Sequence, residues 1–147
     1  MIHDRSRLAG LLAFAATSLF CLGAPARGAS LTTTIENVPD AKGTIRIALC
    51  RKDEFLKRSC DYRTELPATP PKTVATFPDV KPGIYAVQVF QDRNGNGKLD
   101  RSFIGMPTEP VGFSRNPVLR FGPPDFAQCA MQVTPAGGAI SLRLITR

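Results

Sequence analysis

The chain has no tryptophan and a single histidine, His3. That histidine falls inside an N-terminal export signal, so the domain that follows carries no imidazole. A Ser-His-Asp triad, a Cys-His nucleophile pair and a His-ligated zinc or copper site are thereby excluded from it. Any catalysis is left to carboxylates, lysine or cysteine. No basic stripe interleaved with aromatics is present, which sets nucleic acid aside although the formal net charge is +7. The positive excess is dispersed, apart from Arg51-Lys52 and Lys57-Arg58. It suits a solvated basic surface, or weak attraction to anionic lipid or an envelope polymer. Internal repeats are lacking too, and 147 residues suffice for one domain.

The N-terminus reads as an export signal. Arg5 and Arg7 make a positive start, Leu8 to Leu22 is an apolar core, and Ala24-Pro25-Ala26 offers a small-x-small cleavage site. Cleavage after Ala26 gives a signal at 1–26 and one domain at 27–147, with a formal charge lower by one. The apolar run is too short and too poorly flanked for a membrane span. No transmembrane segment is expected after cleavage, and the expected location is periplasmic or secreted. Of the four cysteines, Cys21 leaves with the signal. An oxidising compartment then favours bridging among Cys50, Cys60 and Cys129. Cys50–Cys60, closing a short excursion, is favoured over any pair with Cys129, although spacing alone does not fix connectivity.

Beyond the signal the pattern is mostly β. Residues 31–38 are β-branched and partly alternating. Ile45, Ile47 and Leu49 share one face of a strand at 44–50. Residues 52–58 read as one helical turn, 64–72 as a proline-rich loop and 73–77 as a short strand. The strongest strand is 84–91, with Tyr85, Val87 and Val89 toward the core. Tyr85 stands where a tyrosine corner would bond its hydroxyl to nearby backbone. Residues 105–125 are rich in glycine and proline. Two further strands are expected at 127–134 and 139–146. About seven short strands imply an all-β, Ig-like or transthyretin-like antiparallel sandwich, with a small barrel as the alternative.

The stretch Asp92 to Asp100 carries the clearest chemistry. Asp92, Asn94, Asn96 and Asp100 place side-chain oxygens at loop positions 1, 3, 5 and 9. Gly97 stands at position 6, and the Lys98 carbonyl would serve at position 7. Calcium loops draw ligands from these positions. Position 12 is Phe103 rather than a bidentate glutamate, so affinity would be weak, about 10⁻⁴–10⁻³ M. The other reading is a plain turn built on Asn94-Gly95 and Asn96-Gly97. Phe113, Phe121 and Phe126 likewise have two readings. They cap the sandwich core, or they line an apolar cleft with Arg115 and Arg120 at its rim to hold an anionic group.

Taken in order, several pieces resemble the domain of unknown function 2141 family of small exported bacterial proteins. They are Gly43 to Leu49, Lys81-Pro82-Gly83-Ile84-Tyr85-Ala86-Val87, Asp92 to Asp100, Ile104 to Pro110, Gly112-Phe113-Ser114 and Phe121 to Phe126. The turn-strand piece also looks like carboxypeptidase-regulatory and collagen-adhesin B-type domains, which are β-sandwiches. The resemblance implies the fold and brings no settled activity. The chain departs from the expected pattern at Gln91, where histidine is expected, and at Arg115, where asparagine is expected.

Three readings of function follow. The leading expectation is a non-enzymatic binding or structural module of the bacterial envelope, calcium-stabilised at its loop, with an envelope protein or polymer as partner. The alternatives are a hydrolase of an envelope polymer using Asp92 or Asp100 with Glu109, and a small-ligand carrier using an apolar interior.

Overall fold

A computed structural model of the chain describes residues 28–120 and 122–146. The segment expected to be an export signal, 1–26, and Phe121 lie outside the described residues. Eight strands and one helical turn follow in order: β1 (Ala29–Glu36), β2 (Thr44–Cys50), β3 (Tyr62–Pro67), β4 (Lys72–Val80), β5 (Gly83–Asp92), β6 (Val111–Phe113), α1 (Phe126–Cys129), β7 (Met131–Val133) and β8 (Gly138–Arg143). They form two sheets. The smaller runs β4-β1-β8; the larger runs β3-β2-β5-β6, with β7 pairing to the start of β5. The all-β sandwich expected from the sequence is what the strands build. One ladder, β1 to β8, is parallel, and the other strand pairs are antiparallel.

Period-two alternation dictates which side chains meet between the sheets. Ile45, Ile47 and Leu49 of β2 and Tyr85, Val87 and Val89 of β5 point inward against Leu31, Ile35, Phe77 and Leu142. Most of these are essentially unexposed, so the interior is filled with side chains. Burying each Leu, Ile or Val contributes about 1.5–3 kcal/mol. The Tyr85 hydroxyl donates to the Lys81 carbonyl at 2.9 Å and accepts from Arg51 at 3.3 Å. This is the tyrosine corner expected at the start of that strand, and burial raises the hydroxyl's pKa above its usual 10.

A second apolar cluster lies on the opposite face of the larger sheet. It gathers Cys50, Phe55, Cys60, Ala86, Val111, Phe113 and Cys129, with Ala48, Phe90, Leu99, Leu119 and Phe126 against them. The excursion between β2 and β3 folds over this face because a Cys50–Cys60 disulfide closes it. Phe55 then reaches Phe113 and Phe126, both edge-on, at centroid distances of 6.0 and 5.7 Å. Cys129 is a buried free thiol, its pKa pushed up by burial to about 11.

Four segments differ from the sequence expectation, each for a local reason. β3 occupies part of the segment expected to be loop. It is an edge strand, and its one proline, Pro67, stands at its last position. β4 runs past Phe77 to Val80, following the long β1 ladder. β6 is a three-residue strand inside the Gly/Pro-rich segment. The expected strand at 127–134 splits into α1 and β7, because Gln128 and Asp125 close a capping box before the chain extends.

Candidate functional site

The loop after β5 folds around Asp92, which is fully buried. Its Oδ2 accepts from Arg46 Nε at 2.7 Å and from the Gly97 amide at 2.8 Å; its Oδ1 accepts from the Asn96 amide at 3.1 Å. Burial alone would raise the pKa of this carboxyl. The Arg46 bond and the Gly97 and Gly95 amides outweigh burial and hold it below the ordinary 3.8. Arg46 also pairs with Glu65. Gly95 and Gly97 sit at φ of +73° and +75°, which their lack of Cβ permits.

The remaining loop oxygens are arranged locally. Asn94 Oδ1 accepts from the Asn96 amide and Asn96 Oδ1 from the Lys98 amide. Both Asn side-chain nitrogens donate to Asp100, at 2.7 and 2.9 Å. Glu109 is buried at the loop's base, where its two oxygens accept from the Arg93 and Asp100 amides. It clamps the loop ends. Gln91 faces the other way: its amide nitrogen donates to Asp40 and Lys42 oxygens in the β1–β2 turn.

The loop presents oxygen donors of the kind that calcium takes. Asp92 Oδ1, Asn94 Oδ1 and Asn96 Oδ1 each accept a backbone amide, and each oxygen keeps a further lone pair. These oxygens, those of Asp100 and the Lys98 carbonyl would hold the ion, which takes oxygen ligands. Among the described residues no three His, Cys, Asp or Glu side chains group together to hold a metal. The positive charge fixed at Asp92 belongs to Arg46, which opposes a tight site.

Next to the loop lies a cleft of about 350 Å³ on the outer face of the larger sheet. Its floor and walls are apolar: Phe90, Leu99, Val111, Phe113 and Leu119 among them. Lys57, Arg58, Lys98 and Arg101 stand around it, and none of the four makes an ion pair among the described residues. Glu109 is the acid lining it, with both oxygens already used. The disulfide excursion forms one wall. Gln88 holds that wall by accepting from the Leu56 amide at 2.9 Å and donating to the Lys57 carbonyl at 3.1 Å. Leu56 is left at φ +63°, a conformation rare for a side chain of its kind. A more open groove, lined by Arg46, Ala48, Arg63 and Thr64, continues from the shared residues Gln88 and Phe90.

The structure brings together only part of the expected set. Phe113 lines the cleft and also packs in the second cluster. Phe126 packs beneath the excursion. Arg115 instead donates to the Ala127 and Ala130 carbonyls, both at 3.4 Å, and ties down the α1 segment. Arg120 is not among the residues lining the cleft, and Phe121 lies outside the described residues. The rim cations come from two segments far apart in sequence, 57–58 and 98–101. Only the Lys57-Arg58 charge cluster gave a sequence signal for them.

A family described as uncharacterized protein conserved in bacteria (DUF2141) matches residues 33–141. No curated protein and no solved structure matches the chain.

Proposed function

The chain belongs to that bacterial family, DUF2141, and from this footing we propose that it is an exported, non-enzymatic binding module of the envelope whose site is the cleft. The ligand class is a small anionic amphiphile, with its tail on Phe90, Val111 and Leu119 and its head among the rim cations. The observation that carries this reading is the pairing of an apolar floor with four cations that make no ion pair among the described residues. A cleft of this size sits at the low end of small-molecule sites, about 300–1,000 Å³. A carrier using the space between the sheets is disfavoured because that space is packed, and the proposed ligand sits on the outer face of the larger sheet. Calcium belongs to the same proposal as a weak brace on the loop that supplies Gly97, Lys98 and Leu99 to the cleft wall. The hydrolase alternative gains nothing from Asp92 and Glu109. Arg46 and loop amides occupy Asp92, and backbone amides occupy both oxygens of Glu109.

Calorimetric titration with octanoate and with octanol tests the reading. Octanoate binds more tightly, and Arg58→Gln with Lys98→Gln weakens it about tenfold, equivalent to one charge-assisted hydrogen bond. Octanol is unaffected by those changes. Equal affinity for the two probes, or no binding of either, contradicts the proposal.

A further inference from the structure

Residues 101–107 form a closed hairpin between the calcium-type loop and β6. Arg101 and Pro107 pair as an antiparallel bridge. The Ser102 amide donates to the Met106 carbonyl at 2.8 Å, and the Gly105 amide to the Ser102 carbonyl at 2.9 Å. Arg101 Nη1 donates to the Gly105 carbonyl at 2.9 Å. The base of the hairpin is fixed as well, the Thr108 amide bonding to the Asp100 carbonyl.

This well-bonded hairpin carries two apolar residues at its apex. Phe103 is fully exposed and Ile104 is 69% exposed. Phenylalanine buries more apolar area than almost any side chain, yet here none of it is used. Beside the apex cations outnumber acids: among the described residues the adjoining cleft is lined by Lys57, Arg58, Lys98 and Arg101 against Glu109. Lys98 and Arg101 stand at the hairpin's foot, and Lys57 and Arg58 stand across the cleft that Gly105, Met106 and Pro107 border. The nearest acids in sequence are engaged: Asp100 by Asn94 and Asn96, Glu109 by two backbone amides.

We propose that the Phe103–Ile104 apex docks on an anionic lipid bilayer, the two apolar side chains entering the interface while the flanking cations meet the headgroups. Two side chains are too little for a stable protein interface, which buries about 800 Å² per partner. They suffice for interfacial anchoring when basic residues add attraction to anionic lipid. A bilayer also demands no shape complementarity from a narrow hairpin tip. The inference rests on the hairpin and its charges, not on the identity of the cleft ligand.

The chain lacks tryptophan, so Phe103→Trp gives a background-free reporter. The chain from Arg27 onward is used, because both sheets and their core lie within Ala29–Leu144 and the apolar Leu8–Leu22 run would itself bind lipid. Vesicles are phosphatidylcholine alone, or an equal mixture with phosphatidylglycerol. Emission shifts to the blue with the mixed vesicles, and the shift fades at high salt as screening shortens the electrostatic reach. In sedimentation, Phe103→Ser with Ile104→Ser lowers partition at least tenfold; Lys57→Gln and Lys98→Gln each lower it about fivefold. Octanoate affinity of the Phe103→Ser, Ile104→Ser variant stays unchanged, which separates this claim from the cleft reading. No blue shift, equal partition to both vesicles, or unchanged partition of the apolar variant overturns the proposal. So does a wild-type dimer without lipid that the same variant turns into monomer, which would reassign the apex to self-association.

Discussion

Replacing Asp92 by alanine should destabilise the domain by about 3 kcal/mol. The carboxylate is fully buried and accepts from Arg46 Nε and from the Asn96 and Gly97 amides. Hydrogen bonds to charged groups contribute about 1.5–3 kcal/mol each. Two of the three donors retain a partner after the change: Arg46 keeps Glu65, and the Asn96 amide keeps Asn94 Oδ1. The Gly97 amide loses its acceptor, and Arg46 loses its buried counter-charge. Arg46 keeps access to water, with a side chain 32% exposed, so the loss falls short of the upper range for breaking a buried ion pair. Thermal and urea unfolding read the effect, with a fall in Tm of about 10 °C expected for a domain of this size. The pH dependence is a second check. A carboxyl with a depressed folded pKa contributes stability above its unfolded pKa, near 3.9. That contribution disappears as pH falls through the folded pKa. The gap between wild type and variant is therefore full at pH 7 and narrows below about pH 4. A loss under about 1 kcal/mol at pH 7, or a gap that does not narrow in acid, refutes the reasoning.

Three further outcomes follow from the same geometry. With a Kd near 10⁻⁴ M, calcium at a hundredfold excess over Kd raises stability by about 2.7 kcal/mol in wild type and not in Asp92→Ala; unchanged unfolding in calcium and in EDTA removes calcium from the account. Cys60→Ser opens the excursion and costs about 2–3 kcal/mol of loop-closure entropy; it also weakens octanoate, because Lys57 and Arg58 ride on that wall, whereas intact octanoate binding would separate the excursion from the cleft. Tyr85→Phe leaves the ring in the core but removes the bond to Lys81, lowering stability by about 1 kcal/mol in urea unfolding, and no change there would make the corner incidental.

The sandwich was legible because β2 and β5 alternate cleanly and their inward residues form the packed interior. Tyr85 was legible for the same reason, its place at the head of β5 being fixed by the preceding Pro-Gly turn. β3 and β6 were not. β3 is an edge strand whose inward residues Tyr62, Thr64 and Leu66 are only half-buried, which mutes its pattern, and a Val-Gly-Phe strand is too short to show one. The loop was readable from its asparagines and glycines, but the role of Glu109 was not, since it acts on backbone nine and more residues away. The cleft was visible only in part. Phe113 pointed to it, whereas its cations come from an excursion folded back by a disulfide and from the far side of the loop. Arg115 was misleading as a rim candidate: at φ +66° its side chain turns to the backbone carbonyls of α1, and it serves the fold.

The central claim is that an anionic amphiphile enters the cleft on the outer face of the larger sheet. Methyl-resolved NMR during an octanoate titration tests it most directly. The account predicts shifts at Leu99, Val111 and Leu119, with Leu31, Ile35 and Leu142 between the sheets unmoved. Shifts confined to the inter-sheet residues, or none at saturating octanoate, would contradict it.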